Sequence, residues 1–275
     1  MAAKAEQIGY RKAHMDAVNM FLLSMVAGAF IAFGAIFSTT VMAGANGVLP
    51  YGIVRLLAGI AFSLGLILVL VGGAELFTGN NLIVMAWASR KISTSLLLRN
   101  WVIVYIGNFV GSVSLAVAMF LSGQYLFSNG AIGAVALATA DAKSSLNFVQ
   151  AVVLGILCNT LVCLAVWLTF SARSTTDRIF TIIPPITAFV AVGFEHSIAN
   201  MYFIPIGLLI KTFAPESFWT SIAKTATNFP NITLSNFIFN NLIPVTLGNI
   251  IGGSVLVGLV YWFVYLRPAP KDTDN

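Results

Sequence analysis

Charge interrupts this chain rarely, and the gaps between charged residues give the first outline of its elements. Uncharged stretches run over 17–54, 56–74, 76–89, 100–140, 144–172, 179–194, 196–210 and 225–266. A helix that crosses a bilayer needs about 20 apolar residues. The stretches 17–54, 100–140, 144–172 and 225–266 are each long enough for one such helix plus a loop. The other four are short and adjoin in pairs, 56–74 with 76–89 around Glu75 and 179–194 with 196–210 around Glu195. The pattern predicts six membrane spans, the second and fifth interrupted.

The two interruptions repeat each other. Gly73-Ala74-Glu75-Leu76-Phe77-Thr78-Gly79-Asn80 aligns without gaps on Gly193-Phe194-Glu195-His196-Ser197-Ile198-Ala199-Asn200. Gly107-Asn108-Phe109-Val110-Gly111 in the third span matches Gly248-Asn249-Ile250-Ile251-Gly252 in the sixth. By order the first span then pairs with the fourth, with Gly28 and Gly155 as the expected match. Each repeat holds three crossings, and an odd number inverts the second copy relative to the first. Matching broken helices in two inverted halves are the best sequence pointer to a transport site, because non-helical backbone at membrane depth persists only where protein or a water-filled cavity satisfies it. The expected fold is one all-α integral membrane domain over 1–275. It holds repeat one at about 17–127, repeat two at about 147–266, and short polar tails at both ends.

Composition agrees. Hydrophobic residues make up 59% of the 275 and charged residues 8%, with mean hydropathy +0.93, against about 25% charge in a soluble domain. With six spans, the face bearing the termini carries Lys4, Arg11, Lys12, Arg90, Lys91, Arg99, Arg173, Arg178, Arg267 and Lys271, and the other only Arg55, Lys143, Lys211 and Lys224. That bias predicts cytoplasmic termini and accounts for the net charge of +5 without nucleic-acid binding. The first apolar run is too long for the core of a cleaved signal peptide. Cys158 and Cys163 lie about 7.5 Å apart along one helix, too far for a disulfide.

Of two histidines, His14 lies in the charged N-terminal segment, and His196 lies in the second break. An ionisable group at that depth is a functional hypothesis by default, and imidazole exchanges protons near neutral pH; the competing reading is a neutral, hydrogen-bonded core residue. Thr78 in the first break offers a hydroxyl that both donates and accepts. Glu75 and Glu195 are expected to accept from orphan backbone N–H groups where the half-helices restart. The glycines of the Gly-Asn-x-x-Gly pairs suit close helix crossings, and Asn108 and Asn249 are expected to support the broken loops. Phe62, Phe77 and Phe189 flank the breaks as candidate constrictions. Enzymatic readings fail on inventory: no Gly-x-Ser-Gly segment, no phosphate-binding Gly-x-x-x-x-Gly-Lys-Ser/Thr, and too few ligands for a metal. No cofactor is expected.

On the two break motifs and on Asn-Leu-Ile-Pro-Val-Thr-Leu-Gly-Asn-Ile-Ile-Gly-Gly at 241–253, the chain resembles the formate/nitrite transporter family, most like its formate channel branch. The resemblance implies an aquaporin-like protomer in a homopentamer of a bacterial inner membrane, with one pore per subunit. It places Leu66, Leu76 and Val162 at the cytoplasmic constriction and Phe62 and Phe189 at the periplasmic one. Thr78 and His196 fall between them, Asn159 is the histidine's partner, and Lys143 attracts the anion. The expected function is passage of formate and related small monovalent anions, with His196 aiding protonation or charge compensation. The alternatives are a nitrite or hydrosulfide channel and a neutral-solute pore. The polar first 16 residues and 268–275 are candidate docking points for a regulatory partner.

Overall fold

The computed structural model describes residues 1–45 and 47–267, and among these every regular element is helical. The first half holds α1 (Ala2–Ala13), α2 (Ala17–Met42), α3 (Tyr51–Gly72), α4 (Phe77–Asn80), a 3-10 turn, α5 (Val84–Ala88) and α6 (Thr94–Leu121). The second holds α7 (Ala131–Ser144), α8 (Phe148–Thr169), α9 (Thr175–Val192), α10 (Ser197–Phe213), α11 (Glu216–Ser221) and a last span, Asn236–Tyr265. In that span π-helical stretches Asn236–Leu242 and Ile251–Leu259 flank α-helical Ile243–Ile250. Polar side chains start the long helices: Asp16 accepts from the N–H groups of Val18 and Asn19, and Asn147 forms a reciprocal cap with Gln150. Each satisfies donors that a helix start leaves unpaired.

The second and fifth spans are interrupted where the repeat predicts. Helix α3 ends at Gly73 with φ 78°, and α9 ends at Gly193 with φ 83°. Left-handed backbone costs a Cβ-bearing residue about 1–2 kcal/mol, so glycine fits both ends. Residues 74–76 and 194–196 then run without helix before α4 and α10 begin.

The halves pack alike as well. An added Cβ on Gly111 would lie 1.9 Å from the Met25 carbonyl, and one on Gly252 2.2 Å from the Ile156 carbonyl. Only glycine lets α6 meet α2, and the last span meet α8, at that separation. The register of the first and fourth spans corrects the expected match. Asn108 Nδ2 donates to the Ser24 carbonyl and Asn249 Nδ2 to that of Gly155, both at 2.8 Å. Ser24, one turn before Gly28, is therefore the partner of Gly155. The contact asks only for a small residue, and a shared glycine is a poor guide to it.

Two further elements belong to the repeat. Residues 2–13, expected as tail, form a helix whose Ala5, Gly9 and Ala13 are buried, and its counterpart in the second half is α7. Lys12 precedes the cap Asp16 by four residues, as Lys143 precedes Asn147. Residues 268–275 lie outside the described residues. Outward stripes such as Val18, Leu22 and Val26 on α2, or Leu98, Val102 and Ile106 on α6, are exposed and apolar, which suits an apolar surrounding rather than water.

Candidate functional site

Two cavities enter the protein from opposite faces and end on either side of a closed section at the breaks. The one on the face with the termini encloses about 500 Å³ and is lined by Lys4, Arg11, Lys12, Leu66, Leu76 and Arg178, among others. The opposite one encloses about 800 Å³ and reaches Arg55, Phe62, Lys143, Phe189, His196 and Phe203. No residue lines both. Phe62 and Leu66 are one turn apart on α3, so the closed section is about 6 Å thick. Leu66, Leu76, Phe62 and Phe189 are all nearly fully buried there. The Phe62 ring meets Phe189 edge-on at 5.6 Å and stacks on Phe203 at 6.3 Å.

A polar pair sits inside this apolar section. Thr78 Oγ1 and His196 Nε2 are 2.9 Å apart, in side chains 0% and 3% exposed. His196 is also the N-cap of α10, and its Nδ1 accepts the Ala199 N–H at 3.0 Å. A backbone amide can only donate, so the ring proton resides on Nε2 and is given to Thr78 Oγ1. Thr78 then accepts from the imidazole and keeps its own hydroxyl hydrogen for something else.

Symmetrical asparagines hold the frame around the pair. Asn108 Oδ1 accepts the Phe77 N–H at 2.9 Å, and its amide donates to the Ser24 and Glu75 carbonyls. Asn249 Oδ1 accepts the Ser197 N–H at 2.9 Å, and its amide donates to the Gly155 and Glu195 carbonyls. These asparagines cap the two half-helices, which corrects the role expected of Glu75 and Glu195. The carboxylates meet side chains instead. Glu75 pairs with Lys12 at 2.9 Å and accepts from Asn80 at 2.8 Å. Glu195 pairs with Lys143 at 2.7 Å and accepts from Asn200 at 2.7 Å and Asn241 at 3.1 Å. Each capping amide also turns its other end to carbonyls of the break, which a carboxylate cannot do.

Two expected positions differ. Asn159 makes no hydrogen bond to the imidazole. Its amide reaches the Thr78 carbonyl, Asn81 Oδ1 and the Asn249 carbonyl at 3.2, 2.8 and 2.7 Å, tying the first break to the residue that caps the second. Phe77 points away from the cavities into an aromatic cluster with Trp101 and Tyr105, at 6.1 and 4.9 Å. Val162 is buried one turn from Asn159 on α8, in the apolar cluster that also holds Leu66, Leu76, Phe62 and Phe189. Sequence reasoning did not single out Lys12, Asn80, Asn200 or Arg55. Asn80 and Asn200 were visible as the last matching pair of the repeat.

The Formate/nitrite transporter family matches residues 1–263. The Formate channel FocA of Escherichia coli (strain K12) is 49% identical over 97% of this chain and 93% of its own length. A solved structure described as a pentameric formate channel with formate bound superposes with a TM-score of 0.87 at 50% identity. It covers 91% of this chain and 98% of that one. An FNT family ion channel superposes at 0.81 with 28% identity, over 97% and 98%.

Proposed function

This chain belongs to the formate/nitrite transporter family, and from that premise we propose that it carries formate and related small monovalent anions through a pore in each protomer of a homopentamer. It is a membrane channel or transporter and not an enzyme. The relatives named for formate, at up to half identity, favour that anion over nitrite or hydrosulfide. Ten Lys and Arg residues against four favour cytoplasmic termini, and a bacterial inner membrane is the setting we assign.

The observation that carries this reading is the buried Thr78–His196 pair in an otherwise apolar section. A bare carboxylate between Leu66, Leu76, Phe62 and Phe189 would pay a desolvation cost of many kcal/mol. The Thr78 hydroxyl, polarised by the imidazole behind it, supplies one strong donor at that point. For His196 to hand on a proton it would first have to carry one on Nδ1, where the Ala199 N–H already points. Charge compensation through Thr78 therefore costs less than proton donation by the ring. The ring stays neutral and orients the hydroxyl.

Lys143 lines the outer cavity with its charge matched by Glu195. The regulatory partner assigned to the N-terminal segment would meet α1 as a docked helix, on the exposed stripe Ala3, Gln7, Tyr10 and His14. The test of the transport reading is anion current across bilayers holding the pentamer, with formate, nitrite and hydrosulfide in competition. We expect formate to carry the largest current and His196→Phe to reduce it. Osmotic swelling by neutral solutes without anion current would overturn the reading.

A further inference from the structure

Three cations line the outer cavity: Arg55, Lys143 and Lys224. Lys143 is ion-paired to Glu195, so together they carry no net charge. Lys224 is exposed at the rim, its ammonium 5.2 Å from the Phe229 ring. Arg55 is half-buried, and among the described residues it has no acidic partner. It stands two turns from Phe62 on α3, about 10 Å along the axis.

Its guanidinium is bound to the end of another helix. Nε donates to the Ala191 carbonyl at 3.2 Å and Nη2 to the Val190 carbonyl. These carbonyls belong to the last turn of α9, which also carries Phe189 and stops at the break. A helix C-terminus bears roughly half a negative charge. This one opens on the outer cavity beside the Phe62–Phe189 pair, where an arriving anion would otherwise be repelled. Arg55 cancels that field and leaves a net positive charge. Its Nη1 makes no hydrogen bond among the described residues.

Resting on the transport reading above, we propose that Arg55 is an anion-attracting residue of the pore, which draws anions from the outer cavity to the aromatic constriction by neutralising the C-terminal end of α9. Lys143, held by Glu195, contributes to the frame of the break.

The inference is tested with formate currents through single pentamers in planar bilayers, read separately for each direction of flow. At about 0.01 M ionic strength, where charges act over roughly 30 Å, Arg55→Met is expected to lower the current drawn from the Arg55 face by roughly threefold to tenfold. Current in the opposite sense should change much less, and Arg55→Lys should restore the wild-type asymmetry. Raising an impermeant salt to about 1 M, where the range shrinks to roughly 3 Å, should erase the difference between variants. Equal loss in both directions at either salt would mean that Arg55 only holds α9 in place, and the proposal would fail; so would an unchanged current. If Arg55→Met does not assemble, Arg55→Gln keeps one donor for the helix end without the charge and carries the same expectation. Absence of formate current in the wild type would instead overturn the transport reading.

Discussion

Replacing Asn249 by alanine tests whether the breaks are held by the amides the repeat supplies. The Asn249 side chain is fully buried and serves three backbone groups: the Ser197 N–H and the Gly155 and Glu195 carbonyls. Gly155 lies within α8, so its carbonyl keeps a helical partner. The Ser197 N–H opens α10 and the Glu195 carbonyl lies in the break, and neither has another partner among the described residues. Two orphaned groups at about 1–3 kcal/mol each give roughly 2–6 kcal/mol. Asn108→Ala orphans the Phe77 N–H and the Glu75 carbonyl in the same way, so the two losses should agree within about 1 kcal/mol. Asn249→Asp keeps the acceptor but removes both donors and buries a charge, and should cost at least as much as alanine. Equilibrium unfolding in mixed micelles, followed by circular dichroism, measures each loss. A loss under about 1 kcal/mol for either alanine variant would refute the reasoning, because water would then be serving the freed groups.

Thr78→Val keeps the shape of the side chain but removes the donor, and a hydrogen bond to a charged group is worth about 1.5–3 kcal/mol, so formate current should fall roughly 10- to 100-fold. Thr78→Ser should retain most of it, and equal currents for valine and serine would remove the hydroxyl from the path. At the N-terminus, burial alone would raise the Glu6 carboxyl, but hydrogen bonds from Lys91 and Ser89 and the Lys91 charge outweigh it and hold it below its ordinary 4.5. A lowered carboxylate stabilises the docked helix above that ordinary value and loses its contribution as pH falls through the lowered one. A spin label at position 10 of a Tyr10→Cys variant should therefore gain mobility only as pH falls below the ordinary carboxylate value, and Glu6→Gln should abolish the step.

Much of this fold was legible because membrane burial leaves a strong mark. Six spans follow from where charge is absent, and the two breaks from short apolar stretches meeting at Glu75 and Glu195. The central pair was legible too, since a histidine at that depth rarely lacks a purpose. What stayed hidden is directional. Phe77 and Phe189 both flank a break, yet one packs on Trp101 while the other faces the outer cavity; spacing from a break does not fix rotation about a helix that restarts after four irregular residues. Asn159 was expected at the imidazole, but the ring's one acceptor, Nδ1, is already taken by the chain's own Ala199 N–H. Helix α1 read as a tail because its residues are polar (it buries small alanines and one glycine rather than large apolar side chains). Arg55 was counted for topology alone, since a cation bound to carbonyls leaves no paired acidic residue in the sequence to reveal it.

The repeat also shows where chemistry departs from architecture. Across the two breaks Gly73 matches Gly193, Glu75 matches Glu195 and Asn80 matches Asn200, and all six serve the turn or its ion pair. The positions between them differ: Leu76 answers to His196, and Thr78 to Ile198. Had both copies kept leucine and isoleucine, the section between the cavities would be apolar throughout and closed to any ion. Had both kept histidine and threonine, two imidazoles and two hydroxyls would draw water into it, and the barrier to leakage would be lost. One polar residue from each break gives a single donor at the centre of a thin apolar section. On the proposed function, that arrangement would let an anion be met by a hydrogen bond for the short distance over which it must shed water, while the leucine side chains and phenylalanine rings on either side would keep the path closed to continuous water.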